Sequence, residues 1–211
     1  MGSFVIPVPV VKPSWDNREI AIWTASYTAH GFRWAVGSNK KTEHLVASLQ
    51  QWNFGNTWLP DIAYDCSAFK CDDDNYTPHT GEHPDVIGPI VVHPEFDDCI
   101  KHFTEEFNRS GKSDVVKVLL FCPRGTKRSV AIARVFAHTL THYGYKVVGP
   151  DNLNIDCTWH RSNCKSCSNE QWLLDSPERA NLLNYAANKI TNILKNELQM
   201  PRTPPRMVSA P

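Results

Sequence analysis

The chain has 211 residues, 22 basic and 22 acidic side chains, a formal net charge of zero and a hydrophobic fraction of 41%. This length suits one α/β domain with ragged ends. The neutral balance argues against a surface that binds polyanions all over, so an anion site has to be local. Seven Trp and nine Phe mark a chain that packs a core. No apolar run reaches the roughly 18 residues that a membrane span needs. Phe4 to Val11 holds two prolines and lacks the basic leader of a signal segment. Ile6 stands where the myristoylation pattern opened by Met1-Gly2 wants Ser or Thr. The triplets Asn75-Tyr-Thr77 and Asn108-Arg-Ser110 match the glycosylation pattern but carry little weight without a secretion signal. A cytoplasmic protein is the expectation, and its seven cysteines then read as mostly thiols.

Residues 1–17, with Pro7, Pro9 and Pro13, predict an extended N-terminal arm. Glu19 to Ser26 alternates as a strand does, and a loop through His30-Gly31 follows. A helix is predicted over Thr42 to Trp52, with Leu45, Leu49 and Trp52 on one face, and a second strand over Asp61 to Phe69. The acidic connection from Asp72 to Pro94 contains prolines at 78, 84, 89 and 94 and three histidines. It is expected to be a functional loop or a mobile one. Asp72 to Asp74 within it read as solvated. Pro94 opens a helix in which Phe96, Ile100, Phe103 and Phe107 recur at helical spacing, closed by Ser110-Gly111. Val115 to Phe121 is a continuous apolar run, as in a strand buried on both faces. A helix from Lys127 to Tyr143 stops at Gly144, and Tyr145 to Val148 supply a further strand.

Ser176-Pro177-Glu178 sets a cap, a first-turn proline and early negative charge for a last helix running to Leu198. Its inner face is Leu183, Ala187, Ile190 and Leu194. Residues 200–211 carry four prolines and predict a disordered tail. Strands alternating with helices, without internal repeat, predict a Rossmann-like three-layer α/β sandwich with a mostly parallel sheet, as one domain over residues 18–199.

The chemistry concentrates where the apolar strand ends in Cys122-Pro-Arg-Gly-Thr-Lys-Arg128-Ser129 and the chain restarts as a helix. Such a turn aims backbone N–H groups and the positive end of the helix dipole at one spot. Arg124, Lys127 and Arg128 add charge. The spacing resembles the Cys-x5-Arg-Ser/Thr phosphate loop of the protein tyrosine phosphatases. There the loop wraps a phosphoryl group, the Arg clamps it in bidentate fashion and the Cys attacks. Phe121 stands where those enzymes usually carry His, and none of Asp65, Asp85 and Asp97 sits in a recognisable acid loop. Anion binding therefore ranks ahead of catalysis by Cys122, and ahead of the bland reading in which Cys122 is a small buried hydrophobe.

The stretch FCPRGTKRSVAIARVFAHTLTHYGYKV also resembles the C-terminal domain of the RapZ family, the bacterial RNase adapter proteins. That family carries a Cys-Thr-Gly-Gly-x-His-Arg-Ser loop followed by a Val-x-Ile-Ala helix. Cys122, Gly125, Arg128, Ser129, Val130, Ile132 and Ala133 stand in those places. Ala63-Tyr-Asp65-Cys-Ser-Ala-Phe69 resembles the family's Phe-Asp-Val-Arg-Phe strand end, Thr80-Gly81 its Thr-Gly turn, and His160-Arg161 its His-Arg pair. The likeness spans residues 19–165.

This resemblance implies a phosphofructokinase-like subdomain that binds an amino-sugar phosphate at these loops and, in that family, small regulatory RNA. Ser67 replaces the family's Arg, Pro123-Arg124 replace Thr-Gly, and Glu178 with a Pro-rich tail replaces the basic run that accompanies RNA binding. The expected partner is thus a phosphorylated small molecule, a sugar phosphate or nucleotide, with RNA third and no membrane; a homo-oligomer is compatible. The ligand would lie against Cys122, Pro123, Arg124, Gly125, Thr126, Lys127, Arg128 and Ser129, with Asp65, Thr80, Gly81, His160 and Arg161 around it. A phosphatase using Cys122 is the alternative.

Cys157-x2-His160-x3-Cys164-x2-Cys167 adds a metal reading, because a Cys-x2-Cys pair has the spacing that grips zinc. Cys157, Cys164 and Cys167 are the candidate ligands. The set is compressed into eleven residues, unlike the usual two separated pairs, so redox-labile thiols compete with zinc.

Overall fold

The computed structural model describes residues 17–27, 38–51, 57–70, 78–111, 113–153 and 164–199. Four strands among them form one parallel sheet: β1 (Glu19–Ser26), β2 (Ile62–Asp65), β3 (Val115–Cys122) and β4 (Lys146–Asn152), in the order β2-β3-β1-β4. Around it lie α1 (Ser38–Leu49), α2 (Pro84–Val92), α3 (Glu95–Arg109), α4 (Arg128–His142), α5 (Glu170–Asp175) and α6 (Pro177–Gln199).

Side-chain alternation on the two central strands divides the core. Ile20 and Ile22 of β1, with Val116, Val118 and Leu120 of β3, face a layer built by α2, α3, α4 and α6, including Ile87, Ile90, Phe96, Ile132, Phe136 and Ile190. Ala25, Leu119 and Phe121 point the other way, against Leu45, Val46 and Leu49 of α1 and Trp58. β3 is therefore covered on both faces, which is why its sequence is an uninterrupted apolar run. The result is the expected three-layer α/β sandwich.

The path of the chain explains where a ligand can sit. From β1 the chain crosses β3 to reach β2 with α1 on one face. From β3 it crosses β1 to reach β4 with α4 on the other face. Reversal of direction goes with reversal of face, as right-handed crossovers require. The switch lies between the carboxyl ends of β1 and β3, where Ser26 and Cys122 are register partners. Crevices at such switch points are where open parallel sheets take their ligands.

Several elements differ from their sequence boundaries for local reasons. The second strand stops at Asp65, because its carboxylate accepts the Ser67 N–H (3.0 Å) and turns the chain into a 3-10 turn over Cys66–Ala68. The Pro-rich connection contains α2: His83 caps it by accepting the Asp85 N–H, Pro84 opens it, and Val86, Ile87, Ile90 and Val91 are buried. α1 starts at Ser38, four residues early, and α5 was not anticipated. β4 continues to Asn152.

The aromatic stripe is core as read: Phe96 and Ile100 are buried, and Phe103 and Phe107 pack against them. So is the inner face of α6, with Leu183, Ala187 and Ile190 buried and Leu194 half-buried beside them. The N-terminal arm up to residue 16, the His30-Gly31 loop, Asp72 to Asp74 and the tail lie outside the described residues. Among the described residues no helix is long and apolar enough to cross a membrane.

Candidate functional site

β3 delivers Cys122 to the switch point, 2% exposed. The Ser26 hydroxyl donates to the Pro123 carbonyl (2.6 Å) and the Tyr27 N–H to the Cys122 carbonyl (3.3 Å), so the end of β1 anchors the start of the loop. Gly125 has φ +63°, a conformation that a side chain would oppose. That twist returns its N–H to Cys122 Sγ at 3.2 Å, while its carbonyl accepts from Asn152 Nδ2 (2.8 Å) at the end of β4. Ser129 Oγ lies 3.3 Å from the same sulfur and is wholly buried. The sulfur thus has a backbone amide and a hydroxyl as neighbours.

α4 begins immediately after. Its N-cap, Lys127, provides no side-chain cap. The Ala131 N–H donates to the Lys127 carbonyl (2.8 Å), so the amides of Arg128, Ser129 and Val130 come before the helical ladder and have no intrahelical acceptor. The helix dipole adds positive potential at this end. Arg128 Nη1 donates to the Ser67 carbonyl (3.3 Å), which draws its guanidinium toward the 3-10 turn after β2. Asp65 shapes that turn, with one carboxylate oxygen accepting from both the amide and the hydroxyl of Ser67.

The loop before α2 closes on the same place. The Gly81 N–H donates to the Thr126 carbonyl (2.9 Å). A Cβ on Gly81 would lie 2.5 Å from the Ala131 nitrogen and closer still to the Lys127 carbonyl oxygen, so only glycine fits. Thr80 is buried, its hydroxyl accepting the Glu82 N–H (3.4 Å). The buried Glu82 carboxylate ties this loop down by pairing with Arg134 of α4 and with Arg179 of α6 (2.8 Å).

Asp65, Thr80-Gly81 and the 122–129 loop, separated in sequence, therefore converge at the carboxyl ends of β2 and β3. His160, Arg161 and Cys157 lie outside the described residues. Sequence reasoning missed Ser26, Asn152 and the Glu82 pair of arginines, which act only through tertiary contacts. Ser26 had one usable signal, as the last residue of the strand that pairs with β3.

Among the described residues, a second cluster joins Cys164 and Cys167 with His79, their ligand atoms all lying within 4.8 Å of one another; the third anticipated ligand, Cys157, lies outside those residues. The thiols of Cys66 and Cys99 are of another kind: buried in the core, and pushed up from the usual thiol range by that burial.

The chain matches no family model, no curated protein and no solved structure.

Proposed function

We propose that the protein binds a phosphorylated small molecule, a sugar phosphate or a nucleotide, in the cradle formed by the 122–129 loop and the start of α4. The observation that carries this reading is a strand–loop–helix turn at a topological switch point that sets the N-terminus of α4, with Lys127 and Arg128, beside Cys122. The amides of residues 124–128 and the side chains of Thr126, Lys127 and Arg128 grip the phosphate. Ser129, buried on Cys122 Sγ, shapes the loop. The resemblance to the RapZ C-terminal domain supports the same ligand class, because its Thr-Gly turn falls at Gly81, hydrogen-bonded to the loop. RNA remains third: a neutral chain offers little for the salt-dependent phosphate contacts that RNA retention requires.

The test is calorimetry with inorganic phosphate, sugar phosphates and nucleotides. Arg128→Ala should weaken binding roughly 10- to 150-fold, the worth of a charged hydrogen bond of about 1.5–3 kcal/mol. Equal affinity in both proteins sinks the assignment.

One observation favours the second reading, a Cys-dependent phosphatase. The Gly125 amide at 3.2 Å and the Ser129 hydroxyl at 3.3 Å flank Cys122 Sγ, as a sulfur nucleophile would need. The acid partner argues against it. The Asp65 carboxylate holds the turn, Asp97 pairs with Lys189 (2.9 Å), and Asp85 is exposed beside His79 and His83. General acid catalysis needs a group within hydrogen-bond reach of the leaving oxygen. Hydrolysis of an aryl phosphate that vanishes in Cys122→Ser would establish the phosphatase.

A further inference from the structure

We propose that His79, Cys164 and Cys167 bind one zinc ion, which staples the Cys-rich turn before α5 to the loop that packs against the phosphate cradle. Cys164 and Cys167 sit at the two ends of a single tight turn. The Ser168 N–H donates to the Cys164 carbonyl and the Asn169 N–H to the Ser166 carbonyl, both at 3.1 Å. His79 comes from a loop 85 positions earlier in the chain, so the cluster is a long-range closure and not a product of local sequence.

The geometry fits the metal. With Zn–S of about 2.3 Å and Zn–N of about 2.0–2.1 Å, a tetrahedral site sets its ligand atoms about 3.6 to 3.8 Å apart. Cys167 Sγ and His79 Nδ1 lie 3.8 Å apart, and the three ligand atoms fall within 4.8 Å of one another. Two thiolates and an imidazole are a donor set that selects zinc over magnesium or calcium.

The surroundings supply what metal ligands need beyond the first contact. The Thr80 N–H donates to Cys167 Sγ (3.4 Å). His79 turns its other ring nitrogen, Nε2, to Asp85 Oδ2 at 3.4 Å, the carboxylate–histidine relay that fixes a metal-bound imidazole. His83 stacks on His79 at 3.7 Å between ring centroids, and Trp172 stacks on His83 at 5.4 Å, so the ring is oriented before metal arrives. His79, His83 and Asp85 form an overlapping group, but His83 Nδ1 already accepts the Asp85 N–H (3.2 Å) as the cap of α2. The cysteine-containing set is the site.

The consequence is positional, and only this part rests on the cradle reading. The stapled loop runs directly into Thr80-Gly81, whose amide bonds the Thr126 carbonyl. Metal loss would loosen that wall of the cradle.

The test uses the full chain purified under reducing conditions, with elemental analysis and a cobalt(II) titration and no phosphate present. We expect one zinc per chain, and a thiolate-to-cobalt charge-transfer band in the substituted protein. Cys164→Ser, Cys167→Ser and His79→Ala should lose stoichiometric metal. Asp85→Asn, an isosteric change at an exposed carboxylate, should retain the fold and bind metal roughly 10- to 100-fold more weakly. Wild-type protein without stoichiometric metal and without the cobalt band overturns the proposal, as does a Cys164–Cys167 disulfide that forms in place of metal binding. Because metal content is read without phosphate, failure of the cradle and failure of the zinc site are separately visible.

Discussion

Replacing Gly81 with alanine would put a methyl group 2.5 Å from the Ala131 nitrogen and 2.7 Å from Val130 Cβ, and closer still to the Lys127 carbonyl oxygen. Real Cβ atoms do not come within 3.0 Å of such neighbours, so the 78–83 loop must withdraw from the start of α4 by at least about 0.8 Å to clear the Lys127 carbonyl oxygen. Two of the three obstacles are backbone atoms of a helix, which cannot rotate aside as a side chain would. Overpacking of this kind costs about 1–3 kcal/mol. The withdrawal also stretches the Gly81 N–H bond to the Thr126 carbonyl (2.9 Å), worth about 0.5–1.5 kcal/mol. Together the loss is about 1.5–4.5 kcal/mol, and Tm should fall by roughly 3–18 °C for a domain of this size. Phosphate affinity should fall as well, because the withdrawn loop no longer holds the Thr126 carbonyl, which lies among the anion-binding amides of residues 124–128. Differential scanning calorimetry reads the first effect and titration calorimetry the second. A Gly81→Ala protein with wild-type Tm and wild-type phosphate affinity would refute the claim that these two loops are in contact.

Glu82→Gln leaves Arg134 and Arg179 facing a neutral amide in a buried position. It should cost about 3 kcal/mol, the low end for a broken buried pair because Arg134 is partly exposed; denaturant titration checks this. Cys66 and Cys99, buried and with thiols pushed up by desolvation, should resist alkylation in the native protein and react only after unfolding. Mass spectrometry after a brief iodoacetamide pulse reads both states, and native labelling of either cysteine would count against their place in the core. Treating wild-type protein with a strong chelator should lower Tm and expose Cys164 and Cys167 to the same reagent. Chelation without either change would argue that no metal holds them.

Much of the architecture was legible because apolar periodicity reports burial directly. The run Val115–Phe121 announced a two-sided strand, and the spacing of Phe96, Ile100, Phe103 and Phe107 announced a helix face; both are so placed. α2 was hidden because four prolines read as loop, although Pro84 opens the helix and Pro89 lies inside it. Burial of Ile87 and Ile90 decided that segment, and tertiary burial leaves little trace in so short a stretch. The 122–129 loop was visible because its chemistry is contiguous. Ser26, Asn152 and the Glu82 arginines were not, since each meets the site only through the order β2-β3-β1-β4 or through helix packing. The cysteine pair was seen and its closeness to His79 was not, because nothing local ties residue 79 to residues 164–167.

The most direct test of the cradle is a titration of isotopically labelled protein with inorganic phosphate, followed by backbone amide resonances. Saturable shifts confined to residues 124–130 and Gly81, lost in Arg128→Ala, are expected. Shifts centred elsewhere on the sheet, or none at concentrations well above those of cellular phosphate esters, would contradict the cradle.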